Sequence, residues 1–189
     1  MGVTSILHVD PDVDVGERVD VGDRLGTLVR SGFFGRWVDN HVHLGFRRPG
    51  QNLRRASGSI PIDLGVSVTG LEWDGRGTVV EVGQTHVRLD SPSGRERRGF
   101  AALADDDGVG LDGGLVHYGG GGTFATAEGE RSLLGTPIGE ADGRGIEWAD
   151  VAVFADDRRA TGLSLFASRV PFGAKLVFRE GHGFEVGDD

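Results

Sequence analysis

The sequence predicts an all-β fold, on three observations. Apolar residues occur in short runs of four to eight with strand-like alternation, bounded by Gly, Asp and Ser. Thirty-four glycines punctuate the 189 residues, too many for long helices, because each costs about 1 kcal/mol in a helix interior. Nothing alternates strands with long amphipathic helices, so short strands at this spacing predict a sandwich or barrel.

The elements follow in order. Ser5 to Val9 is a short strand, and Val13-Asp14-Val15 and Val19-Asp20-Val21 are further candidates inside a near-repeat, Val13-Asp-Val-Gly-Glu-Arg18 followed by Val19-Asp-Val-Gly-Asp-Arg24. Arg24 to Val29 is a longer strand with interleaved apolar residues. An aromatic loop, Ser31 to Asn40, leads into the strand His41 to Phe46, where side chains two apart share a face, so His41 and His43 project together. The polar segment Arg47 to Ser59 is a loop or linker, and Ile60-Pro61-Ile62 re-enters apolar structure. A second unit begins near Val66. Gly77 to Val82 and His86 to Asp90 form a hairpin, and Ser91 to Arg98 is a charged turn. Phe100 to Leu103 is a strand or a brief helical turn. Strands continue at Thr123 to Thr126, Leu133 to Ile138, Ile146 to Phe154, Leu163 to Ala167 and Lys175 to Phe178.

Composition narrows the function. With no cysteine there is no disulfide, no thiolate metal site and no cysteine nucleophile, so any metal rests on His, Asp or Glu. The formal charge is −9, and Lys175 is the only lysine. Such an acidic, lysine-poor surface fits a halophilic, salt-rich cytoplasm. It also disfavours nucleic acid, whose phosphates require a basic stripe. No run approaches the length of a membrane helix and no signal-peptide pattern opens the chain, so a cytoplasmic protein without membrane association is expected.

Several motifs are read as structural. Asp107 to Leu115 partly fits a calcium nonapeptide, but stands as a single copy. Gly119 to Gly122 lacks the Lys and Ser/Thr of a phosphate loop. Ser164 has no nucleophile-elbow context. Trp37, Trp73 and Trp148 are candidates for a ligand groove or for packing.

His8, the paired Val-Asp-Val-Gly units, Leu25-Gly26, Ser31-Gly32 and His41-Val42-His43-Leu44-Gly45-Phe46 together resemble the C-terminal half of the lysostaphin/LytM-type zinc metallopeptidase domain. The resemblance implies a barrel-sandwich hybrid over residues 1–66, followed by an unassigned β-rich unit at 67–189. It implies zinc held by His43, with His41 aiding catalysis and His8 auxiliary. Zinc would lower the pKa of a bound water and polarise a peptide carbonyl. The glycine turns also resemble biotinyl and lipoyl domains, but this region has no acceptor lysine.

The family takes its other two ligands from an H-x-x-x-D motif upstream of the first histidine, and residues 1–7 contain neither His nor Asp. Three explanations stand open: a shortened chain, a degenerate member that kept the barrel, or ligands from elsewhere, for which His86 and Asp90 have the right spacing. The expected function is therefore a zinc-metallopeptidase-like protein that is inactive as it stands. The alternative is a non-catalytic β module that binds a protein or glycan partner through its loops.

Overall fold

A computed structural model describes residues 2–30, 38, 40–53, 60, 62–63, 65–94 and 99–189. The chain is all-β: its described residues contain strands, turns and irregular segments and no helix. No described helix is long and apolar enough to cross a membrane. Two compact units divide it, Met1–Leu64 and Gly65–Asp189.

The N-terminal unit holds β1 (Val3–Leu7), β2 (Val9–Pro11), β3 (Gly26–Leu28) and β4 (His43–Arg47). β1 pairs antiparallel with β4, which sets Ile6 opposite Leu44 and Leu7 opposite His43. β2 pairs antiparallel with β3. The strand expected over Ser5 to Val9 is thus broken at His8, whose φ of 66° lies in the left-handed region and lets the chain leave one pairing for the next. Among the described residues these are two-stranded sheets, and none closes into a barrel. Arg47 is the one buried residue described in this unit, so little apolar burial supports its hairpins.

The near-repeat forms two matching turns where strands were expected. Glu17 N donates to Asp14 O at 3.1 Å, and Asp23 N donates to Asp20 O at 3.1 Å. Each turn is closed again from the other side: Asp14 N donates to Glu17 Oε2 and Asp20 N to Asp23 Oδ2, both at 2.8 Å. Gly16 and Gly22 take φ of 91° and 102° in the third position, as a type II turn demands. The local Asp and Gly chemistry outweighs the alternation of valines, and Val15 and Val21 stand fully exposed at the tips. The strand expected over Arg24 to Val29 is correspondingly shortened to β3.

In the C-terminal unit the strands are β5 (Val68–Leu71), β6 (Val79–Val82), β7 (His86–Leu89), β8 (Phe100–Leu103), β9 (Leu111–Leu115), β10 (Gly121–Leu133), β11 (Thr136–Trp148), β12 (Phe154–Ala155), β13 (Arg158–Arg159), β14 (Gly162–Ser164), β15 (Ser168–Arg169) and β16 (Lys175–Val177). Seven make one sheet, in the order β11-β10-β9-β14-β16-β7-β6, with every neighbouring pair antiparallel. A smaller sheet, β15-β8-β5, contains the parallel pair β5–β8. Both sheets feed one core, in which Leu103 of the small sheet and Leu111 of the large one are fully excluded from solvent. Each such leucine contributes about 1.5–3 kcal/mol through burial.

The acidic run Asp105-Asp106-Asp107 holds the β10–β11 hairpin. The buried Asp105 carboxylate accepts from Arg131 Nε at 2.7 Å and from the backbone N–H groups of Asp107 and Val109 at 3.0 and 2.8 Å. Arg131 Nη2 also pairs with Asp107 at 2.9 Å. Asp106 accepts from Leu134 N and Gly135 N, each at 2.8 Å, and so clasps the hairpin turn. A continuous strand expected over Leu133 to Ile138 is, in fact, this turn and its flanks.

Candidate functional site

The N-terminal strands bring three of the six histidines together. His8 follows β1 directly, and the register that sets Leu7 opposite His43 carries the His8 and His43 rings side by side. Their ring centres lie 6.2 Å apart with the planes inclined by 20°. His41 precedes β4 rather than lying on it, yet its ring centre is 5.1 Å from that of His8, inclined by 59°. His43 is exposed, and His8 and His41 are half-buried. Desolvation lowers the His8 imidazole below its ordinary pKa, and the neighbouring His41 and His43 charges lower it further. The cluster therefore favours a neutral His8, the form that binds a metal or accepts a proton.

Zinc–nitrogen bonds of about 2.0–2.1 Å put the centres of two imidazoles on one tetrahedral ion roughly 5 Å apart, which matches the His8–His41 spacing of 5.1 Å and falls short of the His8–His43 spacing of 6.2 Å. Among the described residues no three His, Asp or Glu side chains stand ready to ligate a single ion. The described donors therefore do not fit the three-ligand set of a lysostaphin-type catalytic zinc.

The other candidate ligands have local partners. His86 Nε2 faces Glu81 Oε1 at 3.3 Å, and Arg88 donates to Glu81 Oε2 at 2.9 Å. The Arg88 hydrogen bond, followed by that of His86, holds the Glu81 carboxyl below its usual range. Asp90 Oδ1 accepts from Thr78 N at 2.9 Å, closing the β6–β7 hairpin. His86 and Asp90 are therefore engaged within the hairpin in which the sequence places them. His182 Nδ1 accepts from Phe184 N at 3.1 Å, and its Nε2 lies 2.9 Å from Gly83 O. Burial lowers the His117 imidazole against an opposing hydrogen bond to Leu115, and the Lys175 charge lowers it further. Of the calcium-type carboxylates, Asp107 is paired with Arg131, and Asp112 lies on β9. The loop residues 31–37, which include Trp37, fall outside the described residues.

Sequence reasoning named these histidines as candidates but missed the left-handed backbone at His8. No glycine or asparagine signals that conformation. It also missed the Asp105–Arg131 pair, whose members lie 26 residues apart with no local pattern between them.

Two family models span the chain. The model described as the N-terminal domain of DUF8155, a domain of unknown function, matches residues 2–64, and the model described as its C-terminal domain matches residues 69–189. No curated protein and no solved structure matches the chain. The chain belongs to the DUF8155 family and carries both of its domains.

Proposed function

We propose that the N-terminal unit is a zinc-metallopeptidase-like module of lysostaphin type that retains a metal-binding imidazole cluster and does not hydrolyse peptides in this chain. The observation that carries this reading is the approach of the His8, His41 and His43 rings at the end of the β1–β4 pair. His43 takes the zinc-ligand role, with the His8 ring stacked beside it and His41 beside His8. Without a carboxylate from an H-x-x-x-D motif, these imidazoles would hold zinc but would not supply the three-ligand set needed to activate water for peptide hydrolysis. The chain's own residues bind and orient the ion. They do not complete a hydrolytic centre.

Zinc titration of the full chain, with the His43→Ala variant beside it and a peptidase assay on the zinc-loaded protein, tests this. Saturable zinc uptake that weakens roughly tenfold or more in the variant is expected, with no hydrolysis. Because His43 is exposed, its loss should leave the fold intact. Equal uptake by both proteins would remove the metal site, and hydrolysis would remove the inactive half of the reading.

The exposed Val15 and Val21 favour a second reading, in which the paired turns contact a protein or glycan partner. Replacing both valines by serine then abolishes partner binding without altering zinc uptake. A loss of zinc uptake instead would tie the turns to the histidine site.

A further inference from the structure

The seven-stranded sheet of the C-terminal unit curls until its two edges face one cavity. Val79 of β6 and Ile138 of β11, from opposite edge strands, border the same space as Val87, Leu163 and Leu176 from strands between them; all five belong to the packed core, with 5% or less of their surface open, and so form its closed floor. β6 and β11 are not hydrogen-bonded to each other, so the sheet forms an open calyx rather than a closed barrel. The cavity holds about 670 Å³. Protein interiors leave few voids larger than a water molecule. Sites for small molecules span roughly 300–1,000 Å³, and barrels of about eight strands have room inside for one such ligand.

Polarity defines the ligand class. The wall is mostly apolar, aliphatic side chains together with Trp73, Phe154 and Phe184, and the ionisable lining groups, Arg76, Asp156 and Asp189, are all exposed at the rim. Two polar groups beside them already have partners: Trp73 Nε1 donates to Arg76 O at 2.8 Å, and the Thr78 hydroxyl donates to Asp189 Oδ1 at 2.7 Å. Nothing in the wall neutralises a buried charge, whose desolvation would oppose entry.

The rim shows an independent feature. Phe154 and Leu134 remain 56% and 46% exposed there, an apolar entrance to an apolar interior. Leu134 and Gly135 connect β10 to β11 with φ of 55° and 72°. A two-residue hairpin turn with both φ positive favours Asn-Gly or Asp-Gly, and leucine is poorly suited to its first position. The Asp106 carboxylate holds both turn N–H groups and so maintains the unfavourable conformation. The Leu134 side chain packs over the glycine at position 75, where an added Cβ would come within 3.0 Å of Leu134 Cδ1.

We propose that this calyx binds one small, uncharged, predominantly apolar molecule, and that Leu134, fixed on its strained turn by Asp106, is a rim contact for it. The test is fluorescence titration of the full chain with the neutral probe N-phenyl-1-naphthylamine. Wild type should bind one equivalent saturably. Ala152→Trp, which adds bulk at an exposed lining position, should weaken binding about tenfold or more. Leu134→Asn should raise the thermal midpoint, because asparagine suits the turn, while weakening the probe several-fold. His43→Ala should bind the probe as wild type does, which separates this result from the zinc reading. Circular dichroism verifies that each variant is folded, and Thr136→Phe provides a second block if Ala152→Trp is not. Unsaturable binding, or equal affinity in wild type and a folded blocked variant, would overturn the calyx site. Unchanged affinity in Leu134→Asn would overturn the role of Leu134.

Discussion

Replacing Asp105 by alanine should lower the stability of the C-terminal unit several-fold more than a typical surface substitution, which stays within about 0.5 kcal/mol. The side chain is wholly buried and serves Arg131 together with the N–H groups of Asp107 and Val109. Removing one partner of a buried ion pair costs about 3–5 kcal/mol, because the other charge is left uncompensated. Here Asp107 remains as a second partner for Arg131, which pulls that part toward the lower end. Two orphaned backbone donors add about 1–3 kcal/mol each if they stay dry, and less where water reaches the exposed Asp107. A total of about 4–5 kcal/mol follows, equivalent to roughly 15–20 °C in the thermal midpoint of a unit this size. Asp105→Asn keeps the Oδ1 acceptor for both N–H groups but sets an amide NH2 against Arg131 in place of Oδ2, so it loses the ion pair, about 3 kcal/mol, and spares the two backbone donors; its shift should be the smaller of the two. Thermal unfolding of the full chain by circular dichroism reads both variants. A shift below about 5 °C for Asp105→Ala, or equal shifts for the two variants, would refute the clasp as the fastening of the β10–β11 hairpin.

Two further outcomes follow from named contacts. Burial raises the Asp112 carboxyl above its usual range, against a Gly113 hydrogen bond that lowers it. A carboxyl with a raised folded pKa contributes its stability below the unfolded value of about 3.9 and loses it as pH rises through the folded value. Asp112→Asn should therefore raise the thermal midpoint at pH 7 and leave it nearly unchanged at pH 3; a gain of equal size at both pH values would exclude the charge as its cause. A Cβ at Gly26 would collide with the Asp10 carbonyl oxygen and the Val9 side chain, so Gly26→Ala should part β2 from β3 at a cost of about 1–3 kcal/mol. Amide hydrogen exchange would show this as lost protection at Asp12 and Val29 while the C-terminal core keeps its own, and full protection at Val29 would contradict it.

Much of the C-terminal sheet was legible because its strands obey local rules. His86-Val87-Arg88-Leu89 alternates half-buried and buried residues, as a half-buried strand should, and Asp90 closes the hairpin with Val79 to Val82. Lys175 to Phe178 needed no long-range information either, whereas Phe100 to Leu103, left open between strand and helical turn, becomes a strand through its pairing with β5. The thirteen-residue β10 and β11 were harder to see, since Gly129, Gly139 and Gly143 interrupt their pattern and only the pairing between them supplies continuity. The hairpin turn itself was hidden, because leucine stands where asparagine would announce it. In the N-terminal unit the i, i+2 spacing of His41 and His43 pointed to a shared face, and only the family resemblance joined His8 to them. The route by which they meet, an antiparallel β1–β4 pair and a left-handed His8, depends on contacts between distant residues that no window of sequence contains.

Those failures of local reasoning are informative in themselves. Among the described residues three non-glycine positions have positive φ: His8, Leu134 and Asp156. Histidine and aspartate tolerate the left-handed region better than most residues, whereas leucine does not. Yet none of the three lies in an arbitrary loop: His8 is the centre of the imidazole cluster, and Leu134 and Asp156 both line the mouth of the calyx. Backbone strain persists only where its surroundings enforce it, as Asp106 does for Leu134. A glycine at position 134 would relax the turn at once, but would leave no side chain at the rim. The conflict between turn and residue at this position is thus the most economical reason to treat the calyx as a binding site and not as an imperfectly filled core.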